Sequence, residues 1–278
     1  MRFVLSVILA AGAGVSSWHS SWADEDEIDV QYGQVYSESE SEPLKADVYQ
    51  PRGAGPFPGV LVVHGGAWYV GTRAQLSGVA QLLARRGFVA VAITYRLAPK
   101  HQFPAQIEDC QQAVRWMRSE ATRLKIDPER IGGFGYSAGA QLVCLLGTTG
   151  ENGPSTRLQA VACGGAPCEF RVLPLDQRML SFWLGGTRRE KPEQYRLASP
   201  AAFVTPDDPP MFFFHGAKDR LVPRASPEAM CRHLQGAGVE AELYVVPDMG
   251  HTFAAMDSAA LEKSATFLEE HLQARKAR

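Results

Sequence analysis

The stretch Arg130-Ile131-Gly132-Gly133-Phe134-Gly135-Tyr136-Ser137-Ala138-Gly139-Ala140-Gln141-Leu142 decides the fold. Its first half is short, apolar and rich in glycine, the mark of a strand running into Gly135, and residues 138–146 then read as a helix. A serine between the two, with a glycine two positions away on either side, fits the G-x-S-x-G of a nucleophile elbow. The glycines keep neighbouring side chains from clashing in a strained strand-to-helix turn. That turn lifts the Ser137 hydroxyl above the sheet at a helix N-terminus, where partial positive charge favours a developing anion. The pentapeptide alone is a weak signal in a chain with 26 glycines; the strand and helix on either side make it specific.

Outward from the elbow the chain alternates strand with helix. Gly59-Val60-Leu61-Val62-Val63-His64 and Phe88-Val89-Ala90-Val91-Ala92-Ile93-Thr94 are continuous apolar runs, as expected of strands buried on both faces. Helical patterns over 72–86, 104–124, 227–235 and 261–272 separate them from strand-like runs at 159–163, 211–215 and 242–246. Two further strands are expected at 30–36 and 44–49. Such alternation predicts an α/β fold with a doubly wound, mostly parallel sheet carrying helices on both faces. Residues 167–200 lack a strand signal and carry scattered aromatics, which predicts a small inserted cap over the sheet. No repeat or low-complexity linker interrupts residues 24–278, so one domain is expected.

A serine hydroxyl needs a base, and histidine supplies one near neutral pH. Among seven histidines, His251 lies just past the last strand in Pro247-Asp248-Met249-Gly250-His251, on the side where the elbow emerges. His64 and His215 end buried strands, His101 sits in a proline-bounded loop, and His233 and His271 fall in helices. The base needs a carboxylate to fix its tautomer. Asp219 follows the strand at 211–215 and stands between Ser137 and His251, in the Ser…Asp…His order. Asp248 is the rival, three residues from His251 on one turn, whereas Asp207 and Asp208 precede their strand and belong to the opposite edge. His64-Gly65-Gly66-Ala67-Trp68 directly follows a buried strand, and its glycines allow close approach of backbone donors. With Ala138, the residue after the nucleophile, Gly66 and Ala67 are expected to form an oxyanion hole.

Composition narrows the rest. With 28 Lys+Arg against 30 Asp+Glu there is no basic footprint for nucleic acid, and no apolar run is long enough to span a membrane. At the N-terminus, Arg2, an uncharged run over 3–15 and Ser21-Trp22-Ala23 before Asp24-Glu25-Asp26-Glu27 predict a leader over 1–23 and export to the periplasm or outside the cell. The five cysteines, Cys110, Cys144, Cys163, Cys168 and Cys231, are odd in number and irregular in spacing. Cys144 reads as a plain buried thiol, and a short bridge between Cys163 and Cys168 is left open. No cluster has metal-ligand spacing, and the serine chemistry requires neither metal nor cofactor.

The motifs His64 to Trp68, Tyr95-Arg96-Leu97-Ala98-Pro99, Phe103-Pro104-Ala105-Gln106, Asp109, Asp127-Pro128-Glu129-Arg130-Ile131 and Gly135 to Gly139 occur together in this order. In this the chain resembles α/β-hydrolase-fold esterases, most nearly the hormone-sensitive-lipase-like and feruloyl-esterase-like carboxylesterases. The resemblance covers about residues 40–275. It implies a cofactor-free serine esterase with Ser137, Asp219 and His251 as its triad. The loop reads H-G-G-A-W where many lipase-like members have H-G-G-G; the donor is a backbone N–H, which alanine also supplies. The expected substrate is a small-molecule ester or an ester-decorated polysaccharide, with acetyl or feruloyl groups. Two other classes remain to be separated from this one: a serine peptidase of prolyl-oligopeptidase type, and a non-catalytic binding protein on a relic hydrolase fold.

Overall fold

Eight strands form one sheet in the order β1 (Ile28–Ser37), β2 (Leu44–Pro51), β4 (Val89–Ile93), β3 (Phe57–Val63), β5 (Ile126–Tyr136), β6 (Val161–Gly164), β7 (Met211–Gly216) and β8 (Ala241–Val246). The computed structural model describes residues 28–38, 42–150, 156–173 and 178–273; the leader predicted over 1–23 and the acidic run after it lie outside the described residues. Pairing is antiparallel from β1 through β2 to β4 and parallel from β4 to β8, so the sheet is mostly parallel as expected.

Period-2 alternation divides each central strand between two cores. Leu61, Val63, Val89 and Val91 face the helices α2 (Ala105–Ser119) and α4 (Ala138–Thr149), joining Val114, Met117, Leu142 and Leu145 in one apolar cluster. Val60, Val62, Ala90 and Ala92 face the other way, onto Val79 and Leu83 of α1 (Ser77–Arg85) and Leu268 and Leu272 of α9 (Ser258–Leu272). Burial on both faces is why these strands read as unbroken apolar runs.

Two helical readings are refined. The helix over 72–86 opens as a 3-10 turn, Arg73–Leu76, before α1 begins. The helix over 104–124 divides at Glu120 into α2 and the short α3 (Ala121–Leu124), which ends where Lys125 takes a left-handed φ of +56°. The long β6–β7 connection carries α5 (Arg178–Leu184) and α6 (Pro192–Leu197). Its Phe170, Trp183 and Tyr195 are buried against the first core cluster. The last parts of the fold are α7 (Ala225–Gly236) and the one-turn helix α8 (His251–Ala254). Among the described residues no helix is long and apolar enough to cross a membrane.

Candidate active site

Ser137 stands where β5 gives way to α4, with φ +56° and ψ −118°. This is a rare conformation for a residue with a Cβ, and it survives because the surroundings over-determine it. The Ser137 N–H donates to the Gly164 carbonyl at 2.7 Å, and the Ser137 carbonyl accepts from the Gln141 N–H at 3.0 Å. A Cβ on Gly135 would sit 2.3 Å from the Gly139 carbonyl oxygen, and one on Gly139 would sit 2.0 Å from that of Val63. Neither glycine of the motif admits a side chain.

The parallel strands deliver their carboxyl ends to the same edge. There Ser137 meets His251, the first residue of α8, with Oγ 2.8 Å from Nε2. On the other side of the ring, Nδ1 lies 2.6 Å from Asp219 Oδ2. The carboxylate can only accept here, so Nδ1 carries the proton and Nε2 is free to take one from serine. Asp219 has a fully buried side chain, and its Oδ1 accepts from the N–H groups of Leu221 and Val222 at 2.9 Å each. Its Oδ2 also lies 3.2 Å from Nε2 of His215. The Tyr136 hydroxyl donates to the His251 carbonyl and holds the base from behind.

The loop after β3 is built from left-handed residues. Gly66, Ala67 and Trp68 have φ of +114°, +51° and +65°. A Cβ on Gly66 would meet the Val70 carbonyl oxygen at 1.9 Å, so only glycine fits there. Among the described residues the N–H groups of Gly66, Ala67 and Ala138 donate to no carbonyl, and Ala67 lines the same cavity as Ser137. Trp68 anchors the loop: its indole stacks on Trp183 of α5 at 3.7 Å and 3°, and its Nε1 donates to Gln141 at 3.0 Å. Phe170 packs edge-on to both rings.

The cavity over Ser137 holds about 410 Å³. Trp68, Phe170, Leu173, Leu180, Leu221 and Val222 make its wall largely apolar.

The rival carboxylates are elsewhere. Asp248 is 83% exposed and pairs with Lys218 at 2.7 Å. Asp207 and Asp208 occupy the turn before β7, at its amino end, where the Asp208 carboxylate accepts from Thr205. Of the other histidines, His64 is buried with Nδ1 2.7 Å from the Gly65 carbonyl, and burial pushes its pKa down to about 4. His271 faces Glu240, and His233 lies on α7. All five cysteines are free and buried, which closes the open question about Cys163 and Cys168. Sequence reasoning set His215 aside as the end of a buried strand, although Asp219 follows it by only four residues, and passed over Tyr136, which meets His251 115 residues further on.

A family model, BD-FAE, matches residues 46–234. Among curated proteins the chain is similar to Esterase LipC of Mycobacterium tuberculosis, 32% identical over 221 residues, 73% of this chain and 55% of that one. The chain spans about half the length of the curated relatives it matches first. Among solved structures it is similar to a truncated carbohydrate esterase from gut microbiota, with TM-score 0.82 and 26% identity over 90% of this chain and 99% of that one. The esterase Est2 of Thermogutta terrifontis shares the fold at TM-score 0.76 and 24% identity, covering 89% and 95% of the two chains. The sheet order and these likenesses make the fold that of the α/β-hydrolases.

Proposed function

The chain belongs to the BD-FAE family, and we propose that it is a serine carboxylesterase working through an acyl-enzyme on Ser137. The observation that carries this reading is the unbroken relay from Ser137 Oγ to His251 Nε2 at 2.8 Å and from His251 Nδ1 to Asp219 Oδ2 at 2.6 Å. Ser137 attacks the ester carbonyl while His251 takes its proton, and the Asp219 carboxylate stabilises the resulting imidazolium. The N–H groups of Gly66, Ala67 and Ala138 receive the oxyanion as the carbonyl becomes tetrahedral. Collapse expels the alcohol, which takes the proton back from His251. Water then repeats the sequence in reverse and frees the acid.

The apolar cavity of about 410 Å³ supports an acyl group with an aromatic or extended apolar body. An acetyl group would leave most of that wall uncovered. An aryl acyl ester carried on polysaccharide, such as a feruloyl ester, is therefore the proposed substrate, and likeness to a carbohydrate esterase supports it. The leader pattern over 1–23 supports export toward such a polymer.

The test is a panel of p-nitrophenyl esters from acetyl to long-chain, together with acetylated and feruloylated xylan fragments and a matched peptide amide. The expected order places feruloyl and medium-chain esters above acetyl, with the amide inert. Preference for the amide would overturn the esterase reading, and preference for acetyl would overturn the substrate reading alone.

A further inference from the structure

His215, the last residue but one of β7, is a fully buried ring in an otherwise apolar strand, and the reaction just described leaves it without a part. Its Nε2 lies 2.9 Å from the Val222 carbonyl oxygen and 3.2 Å from Asp219 Oδ2. A carbonyl oxygen only accepts, so Nε2 carries the proton, while Nδ1 is buried without a partner among the described residues. The proton of His215 is thus committed to the backbone of the acid loop, with the acid's Oδ2 alongside.

Resting on the triad reading, we propose that His215 is a positioning residue for the triad acid. Its Nε2–H holds the Val222 carbonyl and so sets the Leu221 and Val222 amides that fix the Asp219 carboxylate with Oδ2 facing His251. Oδ1 is occupied by the two amides and Oδ2 receives Nδ1–H of His251, while the His215 ring, its Nε2 3.2 Å from Oδ2, closes the other side. The bond to the Val222 carbonyl also ties His215 to a residue that lines the acyl cavity and whose own N–H holds Asp219.

Burial pushes the pKa of His215 below its ordinary value, outweighing the bond to Val222 and the attraction of Asp219, so the ring donates without adding charge. A second imidazolium there would compete with that of His251 for one carboxylate. The charged and titratable groups around this centre are Asp219, His251, Tyr136 from β5 and Arg224 beside α7; Arg224 pairs with Glu228 at 2.8 Å. The Lys218–Asp248 pair stands in solvent at the rim.

The test compares His215→Gln, which keeps a donor near the Nε2 position, with His215→Leu, which fills space without one. With a p-nitrophenyl ester, His215→Leu is expected to lower kcat by roughly 10- to 100-fold with KM within about twofold. With the Val222 carbonyl released, the two amides that draw negative charge from Asp219 are held less firmly, so the pH at which kcat/KM reaches half its plateau moves upward. His215→Gln is expected to restore both to within about threefold of the unsubstituted protein. Equal behaviour of the two variants would overturn the proposal while leaving the serine mechanism standing; an unsubstituted protein inert to esters and to fluorophosphonate would overturn both. A measurement independent of the variants is 15N NMR of the imidazole rings at the pH of activity. The Nε2–H tautomer of His215 is expected, and the Nδ1–H tautomer would overturn the proposal, since no proton would then reach the Val222 carbonyl.

Discussion

Two loops leave the carboxyl edge of the sheet from a buried histidine, and they are held in opposite ways. After His64 the oxyanion loop runs through three left-handed residues and is clamped by an aromatic stack, Trp68 on Trp183. After His215 the acid loop is held by hydrogen bonds that converge on Asp219 from Leu221, Val222 and His251, and by one from His215 to the Val222 carbonyl. The difference follows from what each loop supplies. A carboxylate buried without donors would be ruinously costly, so its surroundings must be polar. Oxyanion donors belong to the backbone, which leaves the side chains of that loop free for packing.

Breaking the polar loop is expected to have the largest effect. Asp219→Asn should lower kcat by roughly 10³- to 10⁴-fold with little change in KM, because the ring loses the acceptor that fixes its tautomer. Steady-state kinetics on a p-nitrophenyl ester reads this, and a loss under tenfold would place the triad acid elsewhere.

In the packed loop, Gly66→Ala forces a Cβ against the Val70 carbonyl and should lower kcat by about 100-fold, the scale of one lost oxyanion donor. Retained turnover would show that the Gly66 backbone does not meet the oxyanion. Trp183→Ala tests the clamp at a distance. Removing that buried ring should lower Tm and reduce kcat about tenfold, and Trp183→Phe should recover most of the rate. If Tm falls while kcat stands, the stack stabilises the fold without shaping the hole.

The smallest effect concerns acid. His64 is held near pKa 4 against an ordinary value of 6.5, so between those values the unfolded chain binds more protons than the folded one. Stability contributed by neutral His64 is therefore full above pH 6.5 and declines toward pH 4, by at most about 3 to 4 kcal/mol for a shift of that size. Chemical denaturation across this range should show a shallower decline in His64→Asn, which keeps a donor near Nδ1 for the Gly65 carbonyl. Parallel declines would show that other groups govern the acid limb.

These contrasts explain what could be read from residues alone. The elbow and Asp219 and His251 were legible because each carries chemistry in a local frame: a glycine pair, a strand end, a place in chain order. Strands β3 and β4 were legible because burial on both faces leaves unbroken apolar runs. His215 was not, since a single histidine at the end of an apolar strand looks like packing until Asp219 is brought beneath it. The left-handed φ of Ala67 and Trp68 leaves no trace in residue type, because only glycine advertises that conformation. The Trp68–Trp183 stack joins positions far apart in the chain, and the pattern within either segment says nothing of the other.

The central claim is that Ser137 is the nucleophile activated by His251. Its most direct test is reaction with an alkyl fluorophosphonate followed by intact-mass measurement and peptide mapping. One adduct per chain, located on Ser137 and absent from Ser137→Ala, is the result expected here. An adduct on another residue, or undiminished ester hydrolysis by Ser137→Ala, would contradict it.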